Sequence, residues 1–384
     1  MKKLFYGLLL ALFIILILYF IQPLFGLNIY ASELLGSTFT FLKTTAPDKM
    51  QTSEGYKLEV YTKDLDAPRF MHVTRAGDLL VTEPKKGILW LIPYKNPGQK
   101  RILLSHLKKP HSMDEYGGFL YVAEENAIGR VLFDPLTGTI RGKYQRVINN
   151  LPDDGGHWTR TIKFGPDGYG YVSIGSSCNV CIEENPLRAS IGRFKPGDDH
   201  LTVYAKGLRN SVGFDWSLDG VLYATENSRD FLGDHSPPEE LNEIKENHFY
   251  GWPFAYGNRI PDPQYGEGQE QIINESDPPV LELAAHQAPL GLTFIKNPDS
   301  PLYGKALIAL HGSWNSSVKV GYKVIALSFA NGKIVSQDFI TGFLKDGKVI
   351  GRPVHIAEGK EGELYLSDDF NGVIYRITTK DKNS

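Results

Sequence analysis

A short pattern of apolar and polar positions returns six times along the chain after residue 50. Each copy begins with a glycine turn, continues as an alternating apolar strand and ends in acidic or small polar residues. The copies lie at 77–83, 118–125, 168–175, 220–227, 304–311 and 362–369. Such alternation is typical of a half-buried β-strand, so the pattern predicts six similar β units.

Further apolar strands flank these copies. Preceding partner strands are predicted for five of them, at 71–74, 161–164, 212–216, 290–295 and 354–357. Following strands recur at 87–92, 128–133 and 372–377. No amphipathic helical stretch of convincing length interrupts the series, so the chain after residue 50 is predicted to be all-β.

The spacing of the six turn glycines indicates the architecture. Successive glycines are 41, 50, 52, 84 and 58 residues apart, near the ~40–50-residue repeat of propeller blades if the last two gaps carry insertions. We expect one domain, a six-bladed β-propeller over 56–380, closed by pairing of 372–377 with 56–62. A β-sandwich is the alternative, but six similar units are too regular for it.

The N-terminus predicts export. Lys2 and Lys3 precede an uncharged stretch over 4–32 that begins with 18 almost entirely apolar residues. About 20 residues span a bilayer, whereas a secretory apolar region has roughly 7–15, so an uncleaved signal-anchor over 1–32 is predicted rather than a cleaved peptide. The lysines place the propeller, beyond a linker over 33–55, on the extracytoplasmic side, in the periplasm or at the cell surface.

Composition limits the classes of partner and site. A net charge of -3 supplies no basic face for nucleic acid. The two cysteines, Cys178 and Cys181, cannot build a cysteine-rich zinc domain, and they lack the strand–helix context of a thioredoxin-like motif. In an exported protein, a small-loop disulfide between them is expected.

Polar residues stand at the ends of the blade strands, where propeller loops converge on the central channel. The candidates that stand at equivalent positions of different blades, next to a strand end, are His157, Arg209, His286, His311 and Arg352. His157 has the chemistry of a general base, and Arg209 offers a fixed cation to a carbonyl oxygen or carboxylate. The oxygen-rich loop over 226–240 suits Ca²⁺, although its spacing matches no EF-hand. A structural histidine, a buried ion pair and a solvated acidic loop are the respective alternatives.

The motifs, taken in order from about 68 to 377, resemble the glucose/sorbosone dehydrogenases, and in particular their sorbosone and pyranose dehydrogenase branch. The matching segments are 156–160, 164–168, 175–181, 207–210, 249–253, 311–315, 351–354 and 366–369. The resemblance implies a six-bladed propeller that oxidises a sugar with pyrroloquinoline quinone and Ca²⁺. It also implies an electron acceptor as a partner, either a membrane quinone or a cytochrome.

The same resemblance implies roles for individual residues. His157 matches the general base, and Arg209 and Asn210 match residues beside the reactive quinone carbonyl. The backbone carbonyls of Ser228 and Arg229 match the Ca²⁺ ligands. The other implied cofactor contacts are Arg69, Arg160, His286, His311 and Arg352. The soluble glucose dehydrogenase branch has a lysine about where His311 stands, so the identity of the sugar stays open.

Two other classes of function remain. One is a non-catalytic propeller that binds glycans or protein partners on the same face, and the other is a Ca²⁺-dependent sugar lactonase. No G-x-S-x-G, P-loop, H-E-x-x-H or G-x-G-x-x-G element stands in a suitable context. The common hydrolase, NTPase, zincin and nicotinamide-dependent classes are therefore excluded.

Overall fold

The computed structural model describes residues 49–330 and 332–380, with Phe13 and Ile17 alone before them. The predicted signal-anchor over 1–32 therefore lies outside the described residues, apart from these two positions. Within the described part of the chain, no helix is long and apolar enough to cross a bilayer.

The described chain is built almost entirely from short strands. The chain begins with β1 (Gln51–Thr52) and β2 (Tyr56–Thr62). Blade 1 contains β3 (Met71–Val73), β4 (Leu79–Glu83), β5 (Ile88–Ile92) and β6 (Arg101–Leu104). Blade 2 contains β7 (Ser112–Tyr116), β8 (Phe119–Glu124), β9 (Ala127–Asp134) and β10 (Thr139–Ile148). Blade 3 contains β11 (Arg160–Phe164), β12 (Gly170–Ile174), β13 (Ser190–Phe194) and β14 (Thr202–Lys206). A 3₁₀ turn, Pro97–Gln99, precedes β6.

The second half of the described chain carries the insertions that the long glycine gaps predict. Blade 4 contains β15 (Phe214–Trp216), β16 (Leu222–Glu226) and β17 (Glu239–Glu243), then an inserted hairpin of β18 (Ala255–Tyr256) and β19 (Ile260–Pro261), helix α1 (Glu270–Glu275) and finally β20 (Leu281–Leu283). Blade 5 contains β21 (Pro289–Phe294), β22 (Ala306–Leu310), β23 (Lys323–Ala330) and β24 (Lys333–Thr341). After the hairpin of β25 (Leu344–Lys345) and β26 (Lys348–Val349), blade 6 contains β27 (Pro353–Glu358), β28 (Leu364–Asp368) and β29 (Val373–Thr379).

Each blade is an antiparallel sheet whose strands pair in sequence order. The sixth blade is completed by β2, which pairs with β29 and so joins the two ends of the described chain. The six-bladed propeller and its closure by 56–62 are thus confirmed. The strand β1 pairs with β24 of blade 5, so residues at the end of the predicted linker over 33–55 belong to a blade sheet.

The first strand of each blade, rather than the repeated motif strand, lies nearest the channel, because the first strands of successive blades lie side by side. The motif strand is the second. In blade 2 the sequence pattern did not reveal the first strand, β7. Asp114 and Glu115 interrupt its apolar alternation, and both contact His72 of blade 1, at 3.5 and 2.9 Å.

Apolar side chains fill every boundary between neighbouring blades. Between blades 1 and 2, for example, Leu80 and Leu89 pack with Leu120 and Val131. Equivalent clusters lie at the other five boundaries. A sheet that is apolar on both faces needs a neighbour on each side, and closing the ring supplies one to every blade.

A serine or threonine hydroxyl also bridges each blade boundary. Each hydroxyl donates a hydrogen bond to a backbone carbonyl of the next blade, and the pairs are Thr82 to His111, Ser112 to Arg160, Thr161 to Val212, Thr225 to Leu290, Thr293 to Ile356 and Ser367 to Arg69. The six bonds fix the height of each blade against its neighbour. They therefore place the loops of all six blades at one end of the channel.

Candidate functional site

One end of the channel, called here the site face, is formed by the loops that enter each first strand and those that leave each second strand. Arg160 is the first residue of β11. The other predicted catalytic, cofactor-binding and Ca²⁺-binding residues lie in these loops: Arg69, His157, Arg209, Asn210, Ser228, Arg229, His286, His311 and Arg352. Below them, an apolar cluster of Phe70, Val212, Leu290 and Val354 closes the channel.

His157 is half-buried and held in one tautomer. Its Nδ1 lies 2.8 Å from the carbonyl oxygen of Ser176 and 2.9 Å from Ser176 Oγ. Because a carbonyl only accepts, Nδ1 carries the proton and Nε2 keeps its lone pair. Burial, reinforced by the nearby Arg209 guanidinium, lowers the pKa of His157 to about 3. The ring is therefore neutral near pH 7 and can accept a proton at Nε2.

Asn210 lies beside His157 because Gly175 leaves room for both side chains. A Cβ added at Gly175 would lie 2.6 Å from Asn210 Oδ1 and 2.6 Å from His157 Cβ. The backbone of Asn210 is fixed in turn, since its N–H donates to Glu226 Oε1 at 2.6 Å. The site thus presents a neutral imidazole next to a side-chain amide.

Arg209 is buried and its whole guanidinium is hydrogen-bonded. Nε donates to the carbonyl of Asn179 at 2.8 Å, and Nη1 donates to the carbonyls of Asn227 and Ser228 at 3.0 and 2.8 Å. Nη2 donates to Asn179 Oδ1 and Asp230 Oδ2, at 2.9 and 3.1 Å. All five N–H groups have acceptors, so Arg209 offers the site a charge at a fixed position.

The predicted Ca²⁺ ligands lie next to this guanidinium. The carbonyl of Ser228 already accepts a hydrogen bond from Arg209, although its second lone pair remains. Within the described residues, the carbonyl of Arg229 accepts no backbone hydrogen bond, and the Arg229 side chain pairs with Asp262 at 2.7 Å. One of the two predicted ligands is therefore open, and the other is shared with a cation.

Carboxylates outnumber cations in this part of the site. Arg209 and Arg229 are accompanied by the buried or half-buried acids Glu226, Asp230, Glu239, Glu240 and Asp262. Burial raises the pKa of Glu226 and Glu239 to about 8 and that of Glu240 to about 7. The surplus of buried acid favours a bound cation here.

A second group of cations surrounds Asp369 on the opposite side of the site face. Asp369 accepts from Arg69 Nη1 at 2.7 Å and pairs with His311 Nε2 at 2.9 Å. Burial lowers the pKa of His311 to about 4 despite the carboxylate, so a neutral His311 donates to Asp369. Arg352 donates to the carbonyls of His311 and Gly312, at 3.3 and 2.9 Å, which brings three predicted cofactor contacts together.

Arg160 and His286 are both held by hydrogen bonds to backbone carbonyls. The Arg160 side chain is fully buried, and its guanidinium donates to the carbonyls of Pro152, His157 and Thr159. It supports the loop that carries His157. His286 Nε2 pairs with the carbonyl of Gly233 at 2.7 Å and so fixes the long loop of blade 4.

Several site residues were not predicted from the sequence. His111 is fully buried, with its ring 4.4 Å from Phe70 and 5.5 Å from Trp158. The Trp158 ring also lies 5.8 Å from the Arg69 guanidinium. His111 directly precedes β7 and so stands at a strand end, at the position that the other candidates occupy in their own blades. Its position relative to the strands would have marked His111 as a candidate if β7 had been recognised in the sequence.

Cys178 and Cys181 form a disulfide in the loop between β12 and β13. With Glu183 they also form the one compact group of three possible metal ligands found among the described residues. Sulfurs bonded to each other are not thiolates, and thiolates are what bind metal. The loop therefore has a structural role, as the sequence predicts.

Comparison with known proteins agrees with this geometry. A family model described as TrAA12-like matches residues 50–380. An uncharacterized protein of Borreliella burgdorferi is 29% identical over 365 residues, covering 89% of this chain and 94% of that protein.

A pyrroloquinoline quinone-dependent pyranose dehydrogenase of Coprinopsis cinerea is 24% identical over 405 residues, covering 86% of this chain. The match spans only 54% of that enzyme's length. The solved holo form of a Coprinopsis cinerea pyranose dehydrogenase quinone domain superposes with a TM-score of 0.73 at 21% identity, covering 86% of this chain and 97% of the domain. The chain belongs to the TrAA12-like family, and the resemblance to quinone-dependent sugar dehydrogenases that its motifs indicate is confirmed.

Proposed function

We propose that the protein oxidises a sugar hydroxyl by hydride transfer to pyrroloquinoline quinone, with Ca²⁺ as a second cofactor. The observation that carries the proposal is a neutral His157, with its Nε2 lone pair available, beside a fixed arginine charge at the closed end of a propeller channel. Membership of the family, and the quinone dependence of the pyranose dehydrogenase of Coprinopsis cinerea, support the choice of cofactor.

The site face has unsatisfied donors that suit an anionic, planar cofactor. Arg69 Nε–H is buried and has no hydrogen-bond partner among the described residues. Arg69 uses Nη1 for Asp369, and Arg352 uses Nε and Nη2 for carbonyls, so each guanidinium retains further N–H groups. Carboxylates are the natural acceptors for such groups. Arg69 and Arg352 would hold the carboxylates of the quinone, which supplies a two-electron hydride acceptor when bound. His311, whose Nε2–H donates to Asp369, would fix that carboxylate beside them.

The residues of the chain then carry the proton chemistry. His157 Nε2 takes the proton of the sugar hydroxyl as the hydride leaves the same carbon, and Ser176 holds the imidazole in the required tautomer. The hydrogen bond from Nδ1–H to the Ser176 carbonyl favours the imidazolium that forms and offsets part of the effect of burial on its pKa. Arg209 stabilises negative charge that develops on a nearby oxygen through its fixed charge.

Ca²⁺ is proposed at the carbonyls of Ser228 and Arg229. The surplus of buried carboxylates around them supports a cation, whereas the Arg209 hydrogen bond to the Ser228 carbonyl opposes one. Calcium takes six to eight oxygens. The two carbonyls must therefore be completed by the quinone, by water or by a carboxylate such as Asp230.

Reconstitution of the full-length protein tests the function. The protein is stripped with a chelator and supplied with quinone and Ca²⁺, separately and together, while dye reduction is followed with a panel of aldoses. We expect turnover of at least one aldose only when both are present. A folded protein that does not bind the quinone would refute the proposal.

The same experiment addresses the two alternative functions. Lactone hydrolysis with Ca²⁺ alone would favour the lactonase. Glycan or protein binding that is insensitive to His157→Ala, without turnover, would favour the non-catalytic propeller. The electron acceptor, a membrane quinone or a cytochrome, and membrane anchoring outside the cytoplasm through residues 1–32 remain parts of the proposal for separate tests.

A further inference from the structure

Asn179 makes an unusual number of hydrogen bonds to the charged centre of the site. Its carbonyl and Oδ1 accept from Arg209 Nε and Nη2, at 2.8 and 2.9 Å. Oδ1 also accepts from the N–H of Asp230 at 2.8 Å, and Nδ2 donates to the Asp230 carbonyl at 3.2 Å. One residue of blade 3 thus fixes both Arg209 and the loop that carries the predicted Ca²⁺ ligands.

The position of Asn179 is itself restrained. It lies inside the four-residue ring that the Cys178–Cys181 disulfide closes. The next residue before the ring, Ser177, is anchored by Glu183, whose Oε1 accepts from the Ser177 N–H at 2.6 Å. The Asn179 carbonyl and side chain therefore approach Arg209 from a short, cross-linked segment that has few conformations available.

The same segment reaches the candidate general base. Ser176 Oγ donates to the Cys178 carbonyl at 2.6 Å, and Ser176 orients His157 Nδ1. The Ser176 N–H donates to the Arg209 carbonyl at 2.7 Å. The disulfide loop is thus in contact, directly or through one residue, with both charge-handling groups of the proposed reaction.

We propose that Asn179 is a positioning residue that sets the direction of the Arg209 guanidinium, and that the disulfide acts by holding Asn179 in place. Its catalytic consequence rests on the proposed function. Removing Oδ1 leaves Arg209 Nη2 and the Asp230 N–H each short of an acceptor. A desolvated guanidinium with an unpaired N–H turns towards other acceptors, and a displacement of about 1 Å in a site group can cost roughly 100-fold in rate.

The first test needs no cofactor. Arginine labelling by phenylglyoxal, mapped by mass spectrometry on the full-length protein without quinone, reports whether the Arg209 guanidinium is held. We expect Asn179→Ala to raise the labelling rate of Arg209 several-fold, while the buried Arg160 and Arg188 stay protected as internal references. Asn185→Ala is the matched control, because the exposed Asn185 side chain accepts only from the N–H of Leu187 in the same loop. Unchanged labelling of Arg209 in Asn179→Ala would overturn the proposal.

A disulfide-free variant separates the two parts of the proposal. Cys178→Ser with Cys181→Ser should raise Arg209 labelling at least as much as Asn179→Ala, because both the carbonyl and the side chain of Asn179 are released. Adding Asn179→Ala to that variant should then change labelling less than twofold. If the increases in Arg209 labelling caused by the two changes multiply in full, the disulfide acts independently of Asn179. That result would overturn the proposal that the disulfide acts by holding Asn179 in place.

The second test is kinetic and is normalised to bound quinone. For Asn179→Ala we expect kcat per loaded site to fall 10- to 100-fold while KM for the sugar changes less than threefold, because Arg209 acts on the transition state. A merely structural residue would lower the fraction of loaded protein and leave kcat per loaded site unchanged, and that result would contradict the proposal. If the wild-type protein shows no quinone turnover at all, the proposed function fails, whereas the labelling result still decides whether Asn179 positions Arg209.

Discussion

At the scale of single residues, the hydrogen-bond partners of a buried charged side chain decide what it can do. Arg160 and Arg209 are both buried arginines that stand at equivalent positions of neighbouring blades, yet their hydrogen-bond partners differ. Arg160 binds carbonyls of its own loop, whereas Arg209 bridges two blades at the site face. The position of each arginine relative to the predicted strands was enough to place both residues at the site face. Only their hydrogen-bond contacts in the structure separate a structural arginine from a functional one.

His157→Ala tests the proposed base. The imidazole should contribute roughly 100- to 10,000-fold to kcat, and the variant should still bind quinone because the cations around Asp369 are untouched. Dye-linked kinetics and a quinone titration measure the two properties. His200→Ala is the control, since His200 is exposed and pairs only with Asp199. Wild-type kcat in His157→Ala would rule out this residue as the base.

Arg160→Met should mainly lower the stability of the fold, whereas Arg69→Met should mainly weaken quinone binding. Arg160→Met leaves three carbonyls without their donor, so the free energy of unfolding should fall by about 3 kcal/mol or more in urea titrations. Arg69→Met should weaken quinone binding roughly 10- to 100-fold, as expected for a charge-assisted hydrogen bond. If Arg160→Met loses quinone affinity at full stability, the original sequence prediction for Arg160 is correct and the structural role is wrong.

At the scale of elements, the repeated glycine-turn and strand pattern was enough to predict the blades. It predicted the second strand of all six blades and the closing role of β2, because those strands are short apolar segments that sit between turns. It missed β7, whose Asp114 and Glu115 face a histidine of another blade. It also missed Asn179 and Asp369 as site residues. Their partners lie in other blades, and a single sequence does not carry such pairings.

Thr225→Val tests the hydroxyl bonds between blades. Thr225 Oγ1 donates towards the Leu290 carbonyl at 3.0 Å and accepts from the Gly213 N–H at 3.1 Å. Valine keeps the shape but leaves these buried groups unpaired, so we expect a loss of about 1–3 kcal/mol in the free energy of unfolding. Thr139→Val, at an exposed position, should change it by less than about 0.5 kcal/mol. Equal effects of the two substitutions would contradict a role for the ring of hydroxyls.

At the scale of the whole molecule, buried acids and histidines make stability depend on pH. Glu226 and Glu239 have a pKa of about 8 in the fold, against 4.5 for an ordinary glutamate. Their contribution to stability is therefore complete below about pH 4.5 and is lost as pH rises towards 8. His157 and His311 have lowered pKa values of about 3 and 4, so their contribution is lost as pH falls below about 6.5.

The metal-free protein should therefore lose stability between pH 6.5 and 8. Glu226→Gln should flatten that decline, because the amide keeps an acceptor for the Asn210 N–H and never ionises. Added Ca²⁺ should stabilise the wild-type protein more at pH 8 than at pH 5, since only ionised carboxylates attract it. Urea unfolding at four pH values, with and without Ca²⁺, measures all three effects. A stability that rises from pH 6.5 to 8 without metal would contradict the assignment of buried, protonated acids.

The central claim is that the site face holds pyrroloquinoline quinone between the cations around Asp369 and the centre formed by His157 and Arg209. A crystal structure of the full-length protein soaked with quinone and Ca²⁺ tests it most directly. We expect one quinone at the site face, with its carboxylates within hydrogen-bond distance of Arg69 and Arg352 and its reactive carbonyl on the side of His157. A quinone bound elsewhere, or an empty site face in crystals that hold excess quinone, would contradict the account.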